Sequence, residues 1–214
     1  IFWPRGDSPQ DDPTSPGTAE TTNTATTVPP DPVASICGLE PGDQAIPTQA
    51  PEGATWTLHG TFAAPSIEGV GPGITADDGL THCFAQSPTG ALLAAINYAA
   101  MGQVDPLSSV DPRLVADTPE REALADEYAS EPPTPTEGGT VQVVGFTLEE
   151  QSTGDIAVTL GIRVSDTGTM FSLTYTMRWE SGDWKLVMPP GGDITPTPIE
   201  GSVDSAGLIP WAGA

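Results

Sequence analysis

Positive charge is scarce in this chain. Six lysines and arginines stand against 29 aspartates and glutamates in 214 residues, a formal net charge of -23. Repulsion from phosphate makes nucleic acid and anionic lipid poor direct partners for such a surface, and basic proteins, cations or a cell-wall environment better ones. Cysteine is scarcer still, with Cys37 and Cys83 alone. Neither belongs to a C-x-x-C pair, and with only His59 and His82 beside them they make no zinc site of recognisable spacing. Long apolar runs are missing too, since nothing approaches the roughly 20 residues needed to span a bilayer. There is no G-x-S-x-G or H-E-x-x-H. The glycines of Gly69-Val70-Gly71-Pro72-Gly73 lack the spacing and the strand-to-helix setting of a phosphate-binding loop.

Proline and glycine, by contrast, are abundant at 24 each, and they gather at both ends and between apolar blocks. The part able to bury a core is therefore shorter than the chain, which suits one ordinary domain with tails. Residues 1–35 are rich in Pro, Thr and Asp and cannot bury enough surface to offset their ordering entropy, so they read as a disordered spacer. Arg5-Gly6-Asp7 within it is a chance tripeptide in this setting. The start, Ile1-Phe2-Trp3-Pro4-Arg5, looks like the interfacial end of a helix that continues upstream as a membrane anchor; a mature secreted protein is the alternative. Residues 36–189 form the expected domain, and 190–214 a Pro/Gly-rich tail apolar enough near Trp211 to dock back. In an oxidising compartment Cys37 and Cys83 would form one disulfide, worth about 4 kcal/mol in the chain-entropy model, whereas in the cytosol they would be buried thiols. The disulfide reading places the chain on the extracytoplasmic face of the cell membrane, or makes it secreted.

Helix signals come first in the domain. Ser87 is placed as an N-cap and Pro88 as the first helical residue, and Leu92, Leu93, Ile96 and Ala99 recur at helical spacing until Gly102. Thr118 caps a second helix, with Pro119 at its first position and Glu120 and Glu122 in its first turn, running to about Tyr128. Asp111 to Val115 reads as a short helical turn between them. Thr55 to His59 is a strand with Trp56 and Leu58 on one face. Later, Thr140 to Leu148, Ile156 to Val164 and Phe171 to Trp179 read as strands, the last two alternating in polarity. Ser181-Gly182 turns the chain into a fourth strand with Trp184, Leu186 and Met188. Helices followed by a meander predict an α+β domain, its helices packed on a curved four-stranded antiparallel sheet. Leu92, Ile96, Val158, Leu160, Phe171, Leu173, Tyr175, Trp179 and Trp184 should share one core or its pocket wall.

The helix from Ser87 to Gly102, the short helices after it and the meander closing on Trp179-Glu180-Ser181-Gly182-Asp183-Trp184 resemble the NTF2-like (cystatin-like cone) superfamily. Trp56-Thr57-Leu58-His59-Gly60-Thr61 and Ser87-Pro88-Thr89-Gly90-Ala91-Leu92-Leu93-Ala94-Ala95 look like a group of membrane-anchored, extracytoplasmic actinobacterial proteins. The likeness covers about Thr55 to Met188. It implies a helix-packed cone and, through the VirB8-like and TcpC-like conjugation components with the same anchor-spacer-cone plan, an assembly scaffold. It carries no functional residue over.

A cone of that kind often holds a pocket between sheet and helix, and Tyr98, Phe171, Tyr175, Trp179 and Trp184 are its candidate lining residues here. No catalytic residue, metal ligand or cofactor is expected. The strand residues that alternate with the apolar face are Thr, Ser, Ala, Gly and a lone Arg, none of which is a base at neutral pH. Asp77-Asp78-Gly79 offers at most two calcium ligands without EF-hand spacing. A nucleophile built from His82 and Cys83 needs a thiolate, which a disulfide removes. These readings converge on a non-enzymatic, extracytoplasmic scaffold or interaction domain tethered to the membrane, with conjugative transfer or secretion as the setting the resemblance implies. Its partners would be membrane or cell-envelope proteins, basic ones among them, or further copies of itself, with no direct nucleic acid and no membrane contact beyond the anchor. A secreted small-ligand binder or isomerase-like enzyme using the cone pocket is the alternative.

Overall fold

The structure is a computed structural model and describes residues 33–133 and 139–212. The expected spacer, with its tripeptide and aromatic start, lies outside the described residues as far as residue 32. The strands β1 (Thr55–His59) and β2 (Phe62–Ser66) pair as a hairpin, and β3 (Ile74–Thr75) pairs with β4 (Thr81–His82) in a small separate sheet. Helix α1 (Pro88–Val104) follows, then a 3-10 turn (Pro106–Val110) and helix α2 (Pro119–Ser130). The long strands β5 (Val141–Glu150), β6 (Ile156–Val164) and β7 (Met170–Glu180) lead to β8 (Asp183–Leu186) and the short β9 (Thr197–Pro198) and β10 (Ile209–Pro210).

Local chemistry explains both helices. Ser87 Oγ accepts the Gly90 N–H and Pro88 takes the first position of α1, where a missing donor costs nothing. The helix passes through Gly102, its expected end, and stops at Asp105. There the Asp105 N–H bonds to Met101 O while its carboxylate accepts the Leu107 N–H and caps the 3-10 turn. An Asp-Pro cap signal was thus already present at 105–106 and starts this 3-10 turn, while the expected helical turn at 111–115 forms as well, the Leu114 and Val115 N–H groups both donating to the Asp111 carbonyl at 2.9 Å. Thr118 caps α2 through the Arg121 N–H.

The sheet departs from the expected one. It has eight strands, is mixed, and curls into a half-barrel, with β1-β2-β5-β6-β7-β8 in order, β10 on β5 and β9 on β7. A four-stranded antiparallel sheet with helices packed on it is therefore the wrong description. The hairpin β1–β2 joins β5 in parallel through one residue pair, Phe62 with Val141, and the crossover between them carries both helices. Of these only α1 enters the core, whereas α2 buries none of its residues. Strand β2 contains Pro65. A strand tolerates proline where no neighbour needs its donor, and Pro65 lies beyond the single pair that ties β2 to β5.

Helix α1 is apolar nearly all round, as a helix in the middle of a core must be, and its alanines 91, 94, 95 and 100 are fully covered. Leu92, Ile96, Val158, Leu160, Tyr175 and Trp184 are buried in one cluster, against which the half-buried Phe171, Leu173 and Trp179 pack. Between β7 and β8, Ser181 and Gly182 both have positive φ (56° and 80°), the type I′ geometry that matches strand twist.

After β8 the chain returns across the sheet as a strap. It pairs with the edge of β7 at Thr197 and Pro198, and with the edge of β5 at Ile209 and Pro210. In between, Leu208 lies over Gly161 of β6 and Val203 over Gly145 of β5, so closely that a Cβ on either glycine would meet a methyl group at 2.7 Å or 2.5 Å. Trp211 ends the strap buried against Phe146 and Trp56, with ring centroids at 5.6 Å and 5.0 Å. This closes the gap between the β1–β2 hairpin and β5.

Candidate functional site

Between α1 and the inner face of β6 and β7 lies an open cleft of about 400 Å³. Phe62, Ile162, Phe171 and Leu173 form its apolar walls, and Tyr98 and Tyr175 meet across it edge to face at 5.8 Å. No carboxylate, imidazole, amine, guanidinium or thiol is among its described lining residues. The Tyr98 hydroxyl donates a long hydrogen bond to the Ser109 carbonyl (3.5 Å), and Tyr175 makes none among the described residues. Burial pushes both phenols well above the usual tyrosine range, with the charges of Tyr175 and Tyr128 adding at Tyr98, so both are neutral donors at physiological pH.

Of the five expected pocket residues, the cleft therefore brings together Tyr98, Phe171 and Tyr175. Trp179 and Trp184 lie elsewhere. They stack edge to face on each other at 5.6 Å near the β7–β8 turn, and the Trp184 indole N–H donates to the Ala85 carbonyl at 3.0 Å. They fasten that turn to the entrance of α1.

Beside them sits a feature the sequence did not announce. Asp183, which reads as an ordinary hairpin residue, is buried, and its carboxylate accepts the backbone N–H groups of Cys83 (2.7 Å), Phe84 (2.8 Å) and Trp184 (2.8 Å). His82 Nδ1 lies 3.7 Å from the same carboxylate and has no hydrogen-bond partner among the described residues. The pair has the ingredients of a general-base couple, but the thiol next to it is spent. Cys37 and Cys83 are joined in a disulfide that ties residues before β1 to the approach to α1. Ser35 is tucked against both sulfurs, at 3.5 Å and 3.2 Å.

His59 is remote from this pair, on a second pocket with Asp78 and Arg113. Among the described residues no group of three or more His, Cys, Asp or Glu side chains is placed to hold a metal ion, and no helix is long and apolar enough to cross a membrane.

Residues 18–209 match the model of a family described as a domain of unknown function (DUF8175). The chain belongs to this family. Neither a curated protein nor a solved structure matches it. The DUF8175 span takes in both cysteines, the cleft, Asp183 and the strap as far as Ile209. In this DUF8175 chain the disulfide points to a location outside the cytoplasm, where such bonds persist.

Proposed function

We propose that this chain is a non-enzymatic interaction domain of the extracytoplasmic space, with the cleft under β6 and β7 as a surface for partners. The observation that carries the reading is the makeup of that cleft. Its described walls are aromatic and aliphatic, and its two ionisable groups are phenols held neutral, so it has apolar surface to offer a partner and no base to offer a substrate. A conjugative or secretion setting is proposed on the sequence resemblance alone. Attachment to the outer face of the membrane is the finer form of the proposal. Fractionation of cells making the full-length protein tests it, and recovery from the medium alone would count against it.

The test of the main reading is site-specific photocrosslinking in the native host. A benzophenone amino acid at Leu173, in the cleft, should capture a protein that the same group at the neighbouring exposed Thr174 does not. Equal capture at both positions, or none, would defeat it. Two observations favour a second reading, that of a small-ligand binder: the cleft's volume suits a small molecule, and the Tyr175 hydroxyl, among the described residues, makes no hydrogen bond of its own. Native mass spectrometry decides between them, since a bound small molecule lost in Tyr175→Phe would favour the ligand.

A further inference from the structure

A second pocket, of about 180 Å³, opens where α1 ends, between the 3-10 turn and the loop before β4, and it shares no lining residue with the cleft. Its apolar part combines the buried Leu80 and Met101 with Val104 and Leu107, which are 55% and 48% exposed and are two of the few large aliphatic side chains the fold leaves in water. Ser108, also a lining residue, is 6% exposed and its hydroxyl has no hydrogen-bond partner among the described residues. Around this apolar centre stand Asp78, Asp105 and Asp111 against the single guanidinium of Arg113, which is already engaged by Asp78 at 2.7 Å and Asp111 at 2.6 Å. His59 adds no positive charge at neutral pH, since burial lowers its pKa.

We propose that this pocket docks a basic segment of a partner protein, seating one aliphatic side chain among Leu80, Met101, Val104 and Leu107 while flanking lysines or arginines meet the three aspartates. The volume is that of a side-chain socket and falls below the roughly 300 Å³ at which small-molecule pockets begin. The acidic rim turns away phosphate and anionic lipid. A second copy of the chain is a poor occupant, because it brings the same net charge of -23 and few basic residues of its own. A basic partner supplies what the rim lacks, and an aliphatic anchor covers what the centre exposes.

This inference goes beyond the cleft and stands or falls without it. The oxidised 15N-labelled chain is titrated at low salt with a capped pentapeptide, Lys-Arg-Leu-Arg-Lys. Saturable shifts should gather at Leu80, Met101, Val104 and Leu107. Exchanging the peptide's leucine for serine should weaken binding at least about tenfold, the loss expected when one leucine is no longer buried. Asp105→Asn keeps a capping oxygen but removes a charge, and should weaken it about two- to fivefold. Leu107→Ser, at an exposed position where folding does not depend on it, should weaken it as well. Shifts that never saturate, an equal response to the serine peptide, or shifts centred on Phe171 and Leu173 would each overturn the proposal, while the interaction-domain reading would be left to the crosslinking result.

Discussion

Three backbone N–H groups converge on the Asp183 carboxylate, and two of them belong to Cys83 and Phe84, far away in sequence. Cys83 has φ of 71°, a left-handed conformation that non-glycine residues seldom adopt, so these bonds and the disulfide together hold it where it would not rest alone. Asp183→Ala strands up to three buried donors at about 1–3 kcal/mol each. A loss of about 3 kcal/mol or more is expected, read as a melting temperature lower by roughly 6–12 °C, with Asp183→Asn intermediate. A change under about 2 °C would mean that water takes the carboxylate's place. The side-chain hydrogen bonds of Arg113 hold the carboxyls of Asp78 and Asp111 below the usual range. A carboxyl depressed in the fold stabilises above its unfolded value of 3.8 and loses that contribution as pH falls through the lower folded value. His59, depressed by burial, likewise withdraws stability as pH drops below 6.5. Urea midpoints followed from pH 8 to pH 3 should therefore fall in two windows. Arg113→Gln should flatten only the lower one, and an unchanged slope there would show that its two ion pairs contribute nothing.

At the scale of elements, what could be read from the sequence was whatever had a period or a cap. Ser87-Pro88 and Thr118-Pro119 mark helix starts, and Ile156 to Val164 marks β6, because capping and alternation are local. Strands β9 and β10, of two residues each, have no period to display, and β2 is disguised by Pro65. Their pairing is set by distant partners, so the half-barrel could not be read from local pattern. The candidate cleft was half legible for the same reason: Tyr98, Phe171 and Tyr175 follow from strand and helix register, whereas the place of Trp179 and Trp184 depends on how the β7–β8 turn meets Ala85. The strap supplies a test of this non-local order. Trp211→Ala removes a buried indole from between Trp56 and Phe146 and should cost about 3–5 kcal/mol. Gly161→Leu, which forces Leu208 off the sheet, should leave β5 and β6 paired while amides of residues 197–211 exchange faster. Uniformly faster exchange across the sheet would instead make the strap part of one cooperative unit with the core.

For the molecule as a whole, the decisive quantity is the excess of acid. Among the described basic residues, Arg113, Arg121, Arg178 and Lys185 are each held by a carboxylate, the bidentate Arg113–Asp111 pair being the closest, with hydrogen bonds at 2.9 Å and 2.6 Å. Most of the described acidic residues therefore face water and one another, and α2, with its acids and no buried residue, is the extreme case. Two opposed effects of salt follow. Screening weakens the few surface pairs, worth about 0–1 kcal/mol apiece, and it relieves the repulsion that a charge of -23 sets up over the whole surface. Raising sodium chloride from about 0.01 M to about 0.15 M shortens the Debye length from about 30 Å to about 8 Å, which is short against the span of the domain but long against a contact pair. Repulsion between distant acids should lose more than the pairs do, and the melting temperature should rise with salt, steeply at first and then level off. The same titration should weaken the basic pentapeptide at the Val104–Leu107 pocket, so stability and partner binding are expected to move in opposite directions. A melting temperature that falls over this range would mean that the ion pairs outweigh the surplus.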